Sequence, residues 1–266
     1  APSPLVDVLS FNRLFGKPFF VSEWHEPWPN EWRAEITLYL AAVAALQDWD
    51  GLTVYTYAHT SERMPSTNHL SGAFETFNDP AVFGLFPHAA LIFRRGDVQP
   101  AREKWVVVVP EEQIASANSL SAWGVKALIG TPEAHQVAMA LRQAPEGVDR
   151  VLRPNEQVFT AQDPVKSDTG QLFHTPAAGY CTIDSPRTQA AMGFLGEAGQ
   201  LSLSGLTLFC KTDFATVAAS SLTEEPLEAS RRVLVTAVGR VENTGTRYDV
   251  THRRLVNSGK APILCE

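Results

Sequence analysis

Between Lys17 and Tyr57 the chain runs through an apolar stretch, a loop, an alanine-rich apolar stretch, a turn and a second apolar stretch. Phe19, Phe20 and Val21 are continuous rather than alternating with polar residues, which predicts a strand buried on both faces. Asn30 is placed to cap a helix, and Glu31 and Glu35 fall in early turns where negative charge suits the helix dipole. Trp32, Ile36, Tyr39, Leu40 and Val43 then recur at helical spacing, as a face that packs on a sheet. The alanines among them allow close approach. Asp50-Gly51 is a turn, and Leu52 to Tyr57 reads as the next strand. Strand, helix, strand in this order is a βαβ unit, and it commits the two strands to run parallel.

The first of these strands ends on Glu23. A carboxylate at the C-terminal lip of a buried parallel strand is expensive unless it has partners or a task. In a (β/α)8 barrel that lip is where active sites sit. The alternative is that Glu23 caps a loop or pairs with an arginine. Trp24, His25 and Trp28 crowd the same loop with Pro27 and Pro29. An indole offers a flat apolar platform and one N–H donor, as sugar faces require. The same two tryptophans could equally pack the rim of a barrel.

The segments Lys17-Pro18-Phe19, Ser22-Glu23, Ala41 to Gly51 and Thr53 to Tyr57, taken in order, resemble the clan A glycoside hydrolases. Those enzymes are built on a (β/α)8 barrel whose seventh strand ends on a catalytic glutamate. The resemblance implies Glu23 as nucleophile, with Trp24, His25, Trp28, Tyr55 and Tyr57 near the sugar. Ser167 to Leu172, Gly179 to Gly196 and Arg231 to Gly245 are similar to the C-terminal β-sandwich that accompanies some large bacterial members. The implied layout is the C-terminal βα units of a TIM barrel over residues 1–97, a connecting α/β subdomain over 98–160 and an antiparallel β-sandwich over 161–266. The acid/base of that family is a glutamate after an asparagine at the end of the fourth strand, and only 22 residues precede Glu23. The expectation is therefore a part of a longer enzyme, inactive or nearly so alone, whose partner is the N-terminal part of the barrel. The ending in Pro262-Ile263-Leu264 suggests a cut at that end too. No metal or organic cofactor is required for this chemistry. The competing expectation is a non-catalytic carbohydrate-binding or structural module.

The rest of the chain bears on fold more than chemistry. Val6 to Leu14 reads as a lead-in helix stopped at Gly16. His59 and Glu62 belong to a loop, solvated or lining the cleft. Ala81 to Phe93 predicts a helix kinked or broken at Pro87. Trp105 to Val109 is a β-branched strand, and Thr131-Pro132-Glu133 opens a helix through Arg142. Glu111, Glu112 and His135 read as surface residues. Tyr180 to Asp184, Leu206 to Cys210, Thr216 to Ser220 and Val233 to Val238 are short strands between turn signals. Asp184, Arg187 and Gln189 suggest either a sugar site or polar loop residues of a structural module. Cys181, Cys210 and Cys265 have no metal-ligand spacing, and Cys181 and Cys210 read as small core residues. A net charge of −7 and the lack of any basic run argue against nucleic acid. No apolar run reaches the roughly 18 residues of a membrane span. The chain opens on Ala1-Pro2 rather than Met, so a missing signal peptide says nothing about export.

Overall fold

A computed structural model of the chain describes residues 4–60, 68–114, 130–154, 156, 163–251 and 253–266. Glu62 and most of the 111–129 stretch lie outside the described residues. The elements in chain order begin with α1 (Pro4–Ser10), β1 (Phe20–Trp24), a 3-10 turn (Arg33–Glu35), α2 (Ile36–Leu46) and β2 (Gly51–Val54). Next come α3 (Pro80–Phe83), α4 (Phe86–Phe93), β3 (Lys104–Val109), α5 (Glu111–Ile114), β4 (Gln136–Leu141) and β5 (Arg150–Leu152). The remainder is strand apart from a second 3-10 turn (Leu227–Ala229): β6 (Val165–Lys166), β7 (Leu172–Thr175), β8 (Tyr180–Asp184), β9 (Thr188–Gly193), β10 (Gln200–Ser202) and β11 (Thr207–Phe209). Then follow β12 (Ala215–Ser221), β13 (Val233–Val238), β14 (Val241–Thr244), β15 (Arg247–Asp249), β16 (Arg254–Asn257) and β17 (Lys260–Cys265).

The βαβ unit forms: β1 and β2 pair in parallel on either side of α2. The strand is not buried on both faces, however. Val21 and Trp24 enter the core while Phe20 is 59% exposed, and Ser22 and Glu23 are exposed as well. The reason is that, among the described residues, helices cover one face of this two-stranded sheet. Conversely, α2 is buried all the way round rather than on one stripe. It packs between α1, α4 and the strands β7 and β8, so no face of it meets water.

Strands β13-β12-β9-β8-β7-β6 form one antiparallel sheet in that order. One face carries Leu172, Ile183, Ala190, Met192 and Ala218 into the same core as α2 and α4. The other face packs Ala191 and Ala215 against Leu208 under the β10–β11 hairpin. The molecule is thus a mixed α/β structure dominated by an antiparallel sheet, with a helical layer against one of its faces. Polar contacts tie the helical layer to that sheet. Buried Glu133 accepts from the Tyr39 hydroxyl of α2 and bonds His174 of β7 at 2.9 Å. Burial by itself would push Glu133 up, but these two partners hold its carboxyl below the usual range. On α4, buried His88 bonds Ser220 at 2.7 Å and Thr236 at 2.9 Å.

Four local expectations need correction. Residues 136–141 are not helical but form β4, parallel to β3 over its whole length. Ala138, Met139, Ala140 and Leu141 favour a helix in isolation, and burial against a Val-rich neighbour overrides that preference. The 81–93 helix is two helices that part at Gly84-Leu85, before Pro87, which sits in the first turn of α4 where a missing N–H costs nothing. His135 is buried, its ring stacked 3.8 Å from that of Trp105, whereas Glu111 is at the surface paired with Arg142. The lead-in helix also ends one turn early, at Ser10.

Candidate functional site

Along β1 the pairing with β2 slips by one residue: Val21 faces Leu52, yet Trp24 faces Val54. Three steps on β1 match two on β2, so the strand carries an extra residue at Ser22-Glu23. A bulge of this kind bends the strand and re-aims its side chains. It explains why two successive residues both face outward. Thr53 stabilises the irregularity, its hydroxyl donating to the Ser22 carbonyl at 2.5 Å. Glu23 therefore stands at the C-terminal end of a parallel strand, exposed, with no hydrogen bond or ion pair among the described residues.

Aromatic rings surround that strand end. Tyr55 follows β2 and its N–H donates to the Trp24 carbonyl at 3.1 Å. Its ring meets those of His59 and Phe74 edge-on, and Phe74 in turn meets His25 at 6.0 Å. Tyr57 packs on Phe83, Phe83 on Phe86, and Phe86 stacks on Trp24. Tyr55 is 40% exposed and Tyr57 48%, while Trp24 and Trp28 are only 5% and 7% exposed. Of the rings singled out from sequence, the tyrosines are open and the tryptophans are buried. Trp28 donates its indole N–H to Glu242 at 3.4 Å. His25 is half-buried; both its ring nitrogens are buried without a partner among the described residues, and burial pushes its pKa down. Phe74 and Phe83 join the patch although nothing in their spacing marks them. Glu75, almost fully buried, accepts from the His59 backbone at 3.4 Å and lies 3.5 Å from its Nδ1.

A second depression, a groove of about 860 Å³, opens beyond the loop that follows β1. Glu26, Trp32 and Glu35 form one wall; Tyr248, Val250 and Arg253, on and beside the β15–β16 hairpin, form the other. Burial, reinforced by the Glu26 charge, pushes Glu35 up to about 7. From sequence Glu35 reads only as a charge at a helix start. Its opposite wall lies more than 200 residues away, so no local spacing could reveal the groove.

Asp184 and Gln189 line a third, polar depression of about 450 Å³. Asp184 accepts from the Ser204 hydroxyl at 2.8 Å and Gln189 accepts from Gly205 N–H at 3.0 Å. Arg187 pairs with Asp97 and Glu224. These contacts fasten a loop to the sheet. Among the described residues no group of three or more His, Cys, Asp or Glu side chains converges as metal ligands would. No described helix is long and apolar enough to cross a membrane. Comparison with protein-family models, with curated proteins and with solved structures finds no match to this chain.

Proposed function

We propose that the chain is the C-terminal portion of a retaining glycoside hydrolase that cleaves O-glycosidic bonds of an oligo- or polysaccharide. In this reading it supplies the last βα units of a TIM barrel, a connecting subdomain and a β-sandwich. The observation that carries it is Glu23: an exposed carboxylate, unpaired among the described residues and lifted by a bulge at the C-terminal end of a parallel strand. The order of motifs around it resembles clan A, as described above. Glu23 is the nucleophile, which attacks the anomeric carbon and forms a glycosyl-enzyme that water then resolves. Tyr55 and Tyr57 present ring faces to the sugar, Tyr57 backed through Phe83 and Phe86 by Trp24 and Tyr55 through Phe74 by His25, while Trp28 is buried beside Glu242.

Retention requires a second carboxyl about 5–5.5 Å from the first, as acid and then base. That group comes from the N-terminal part of the barrel, on the same or a separate chain. The two-stranded parallel sheet supports such a partner, because its outer face leaves Phe20 open and parallel sheets are ordinarily covered on both faces. The exposed ring patch also favours a second reading, a carbohydrate-binding module without catalysis.

Covalent labelling separates the two. A mechanism-based glycosidase probe, followed by peptide mapping, is expected to mark Glu23 once the remaining barrel is supplied, and Glu23→Gln is expected to abolish the label without unfolding the chain. Absence of label across a broad panel of sugars would leave the binding-module reading.

A further inference from the structure

We infer that the groove between residues 26–36 and the β15–β16 hairpin is a separate binding site for a neutral oligosaccharide. Its ligand class follows from its lining rather than from any role of Glu23. Trp32, Tyr248 and Phe194 give it ring surfaces, and Glu26, Glu35 and Arg253 give it acceptors and a donor. Ring faces beside hydrogen-bonding edges match a sugar, which is apolar across its face and hydroxylated around its rim. The volume, about 860 Å³, lies within the range of small-molecule sites.

The walls are set before any ligand arrives. Trp32 packs against Phe194 and Phe214, each ring 5.0 Å away, and those two rings meet each other at 5.6 Å. The Tyr248 hydroxyl donates to Glu242 at 2.8 Å and lies 2.9 Å from the Pro29 carbonyl, which binds the hairpin to the opposite wall. Preformed walls lower the ordering cost of binding. Charge narrows the choice further. Glu31 pairs with Arg240 and Asp249 with Arg254, so the acidic rim is partly neutralised. The acidic lining of Glu26, Glu31, Glu35 and Asp249 still outnumbers Arg253 and disfavours phosphates and acidic sugars. Glu35, pushed up to about 7 chiefly by burial, can donate to a hydroxyl when protonated and accept from one when ionised. Behind it, His174, Tyr39 and Cys181 line a void of about 20 Å³.

The competing occupant is a cation, and one substitution divides the two. Arg253 is exposed, so Arg253→Glu removes a donor to a sugar but deepens the attraction for an amine. The experiment is calorimetric titration of the intact chain with β-linked gluco-, manno- and galacto-tetraoses and with spermidine, together with the NMR shift of the Trp32 indole. The expected result is that at least one tetraose binds and moves the Trp32 signal. Arg253→Glu then weakens binding at least fivefold, and Glu23→Gln changes it less than twofold. Binding of spermidine alone, strengthened by Arg253→Glu, overturns the proposal, as does failure of every tetraose. Loss of tetraose binding in Glu23→Gln also overturns it, because the sugar then sits at the β1–β2 face. That last result leaves the proposed function standing, so the two readings fail separately.

Discussion

Glu35 shows how a residue's chemistry departs from its local context. At the start of a helix a glutamate is ordinarily a stabilising charge. Here the groove and the neighbouring Glu26 oppose its ionisation, and its pKa rises to about 7 from an ordinary 4.5. The sign for stability follows directly. Below pH 4.5 the carboxyl is protonated in folded and unfolded chain alike. As pH rises to about 7 the unfolded chain releases its proton first, so the folded state loses roughly 3 kcal/mol across that window. Urea unfolding at pH 4.5 and pH 7.5 is expected to show this loss, and Glu35→Gln is expected to remove most of it. An identical pH dependence in the variant would mean that Glu35 ionises freely in the fold.

At the scale of elements, β1 is where fold and proposed chemistry meet. Its bulge turns Ser22 and Glu23 outward together, and the Thr53 hydroxyl on β2 answers the Ser22 carbonyl. Thr53→Val keeps the shape and β propensity but removes that bond. The expected cost is about 1 kcal/mol in stability. A larger effect is expected on covalent labelling of Glu23, which should slow by tenfold or more as the strand end loses its position. Unchanged labelling would show that the bulge holds without Thr53. The apolar run 19–21 read as a doubly buried strand because local pattern reports composition, not what lies on either side. Among the described residues only one side is covered, so the outward Phe20 is open. The same gap explains β4, whose alanines, methionine and leucine favour a helix until a Val-rich strand is alongside.

Across the whole molecule, one buried ion pair joins parts distant in sequence. Arg33 donates to both Asp79 oxygens, at 2.7 and 3.0 Å, and to the Val241 carbonyl at 2.8 Å. Asp79 also caps α3 by accepting from the Ala81 N–H at 3.1 Å. Removing one partner leaves a buried charge uncompensated, which costs about 3–5 kcal/mol. Asp79→Ala is therefore expected to lower the unfolding midpoint sharply. The loss should appear simultaneously in near-UV and far-UV signals, because 3-10 turn, helix and β14 all depend on the pair. Loss of less than about 1 kcal/mol, the size of a surface pair, would contradict this placement.

Much of the layout was legible in the residues alone. Parallel pairing of β1 and β2 follows from an apolar run, a helical period and a second apolar run, all within a span of about forty residues. Tyr180 to Asp184 and Val233 to Val238 are strands with the bounds that their turn signals mark. These are short-range consequences of side-chain shape, backbone freedom and period. What tertiary structure alone decided is which faces are covered and which charges meet. It buried α2 on every side, buried Trp24 and Trp28 while leaving Tyr55 and Tyr57 open, and set Glu26 and Glu35 across a groove from Tyr248 and Arg253. Burial and electrostatic coupling depend on neighbours brought together from far along the chain, and no local pattern encodes them.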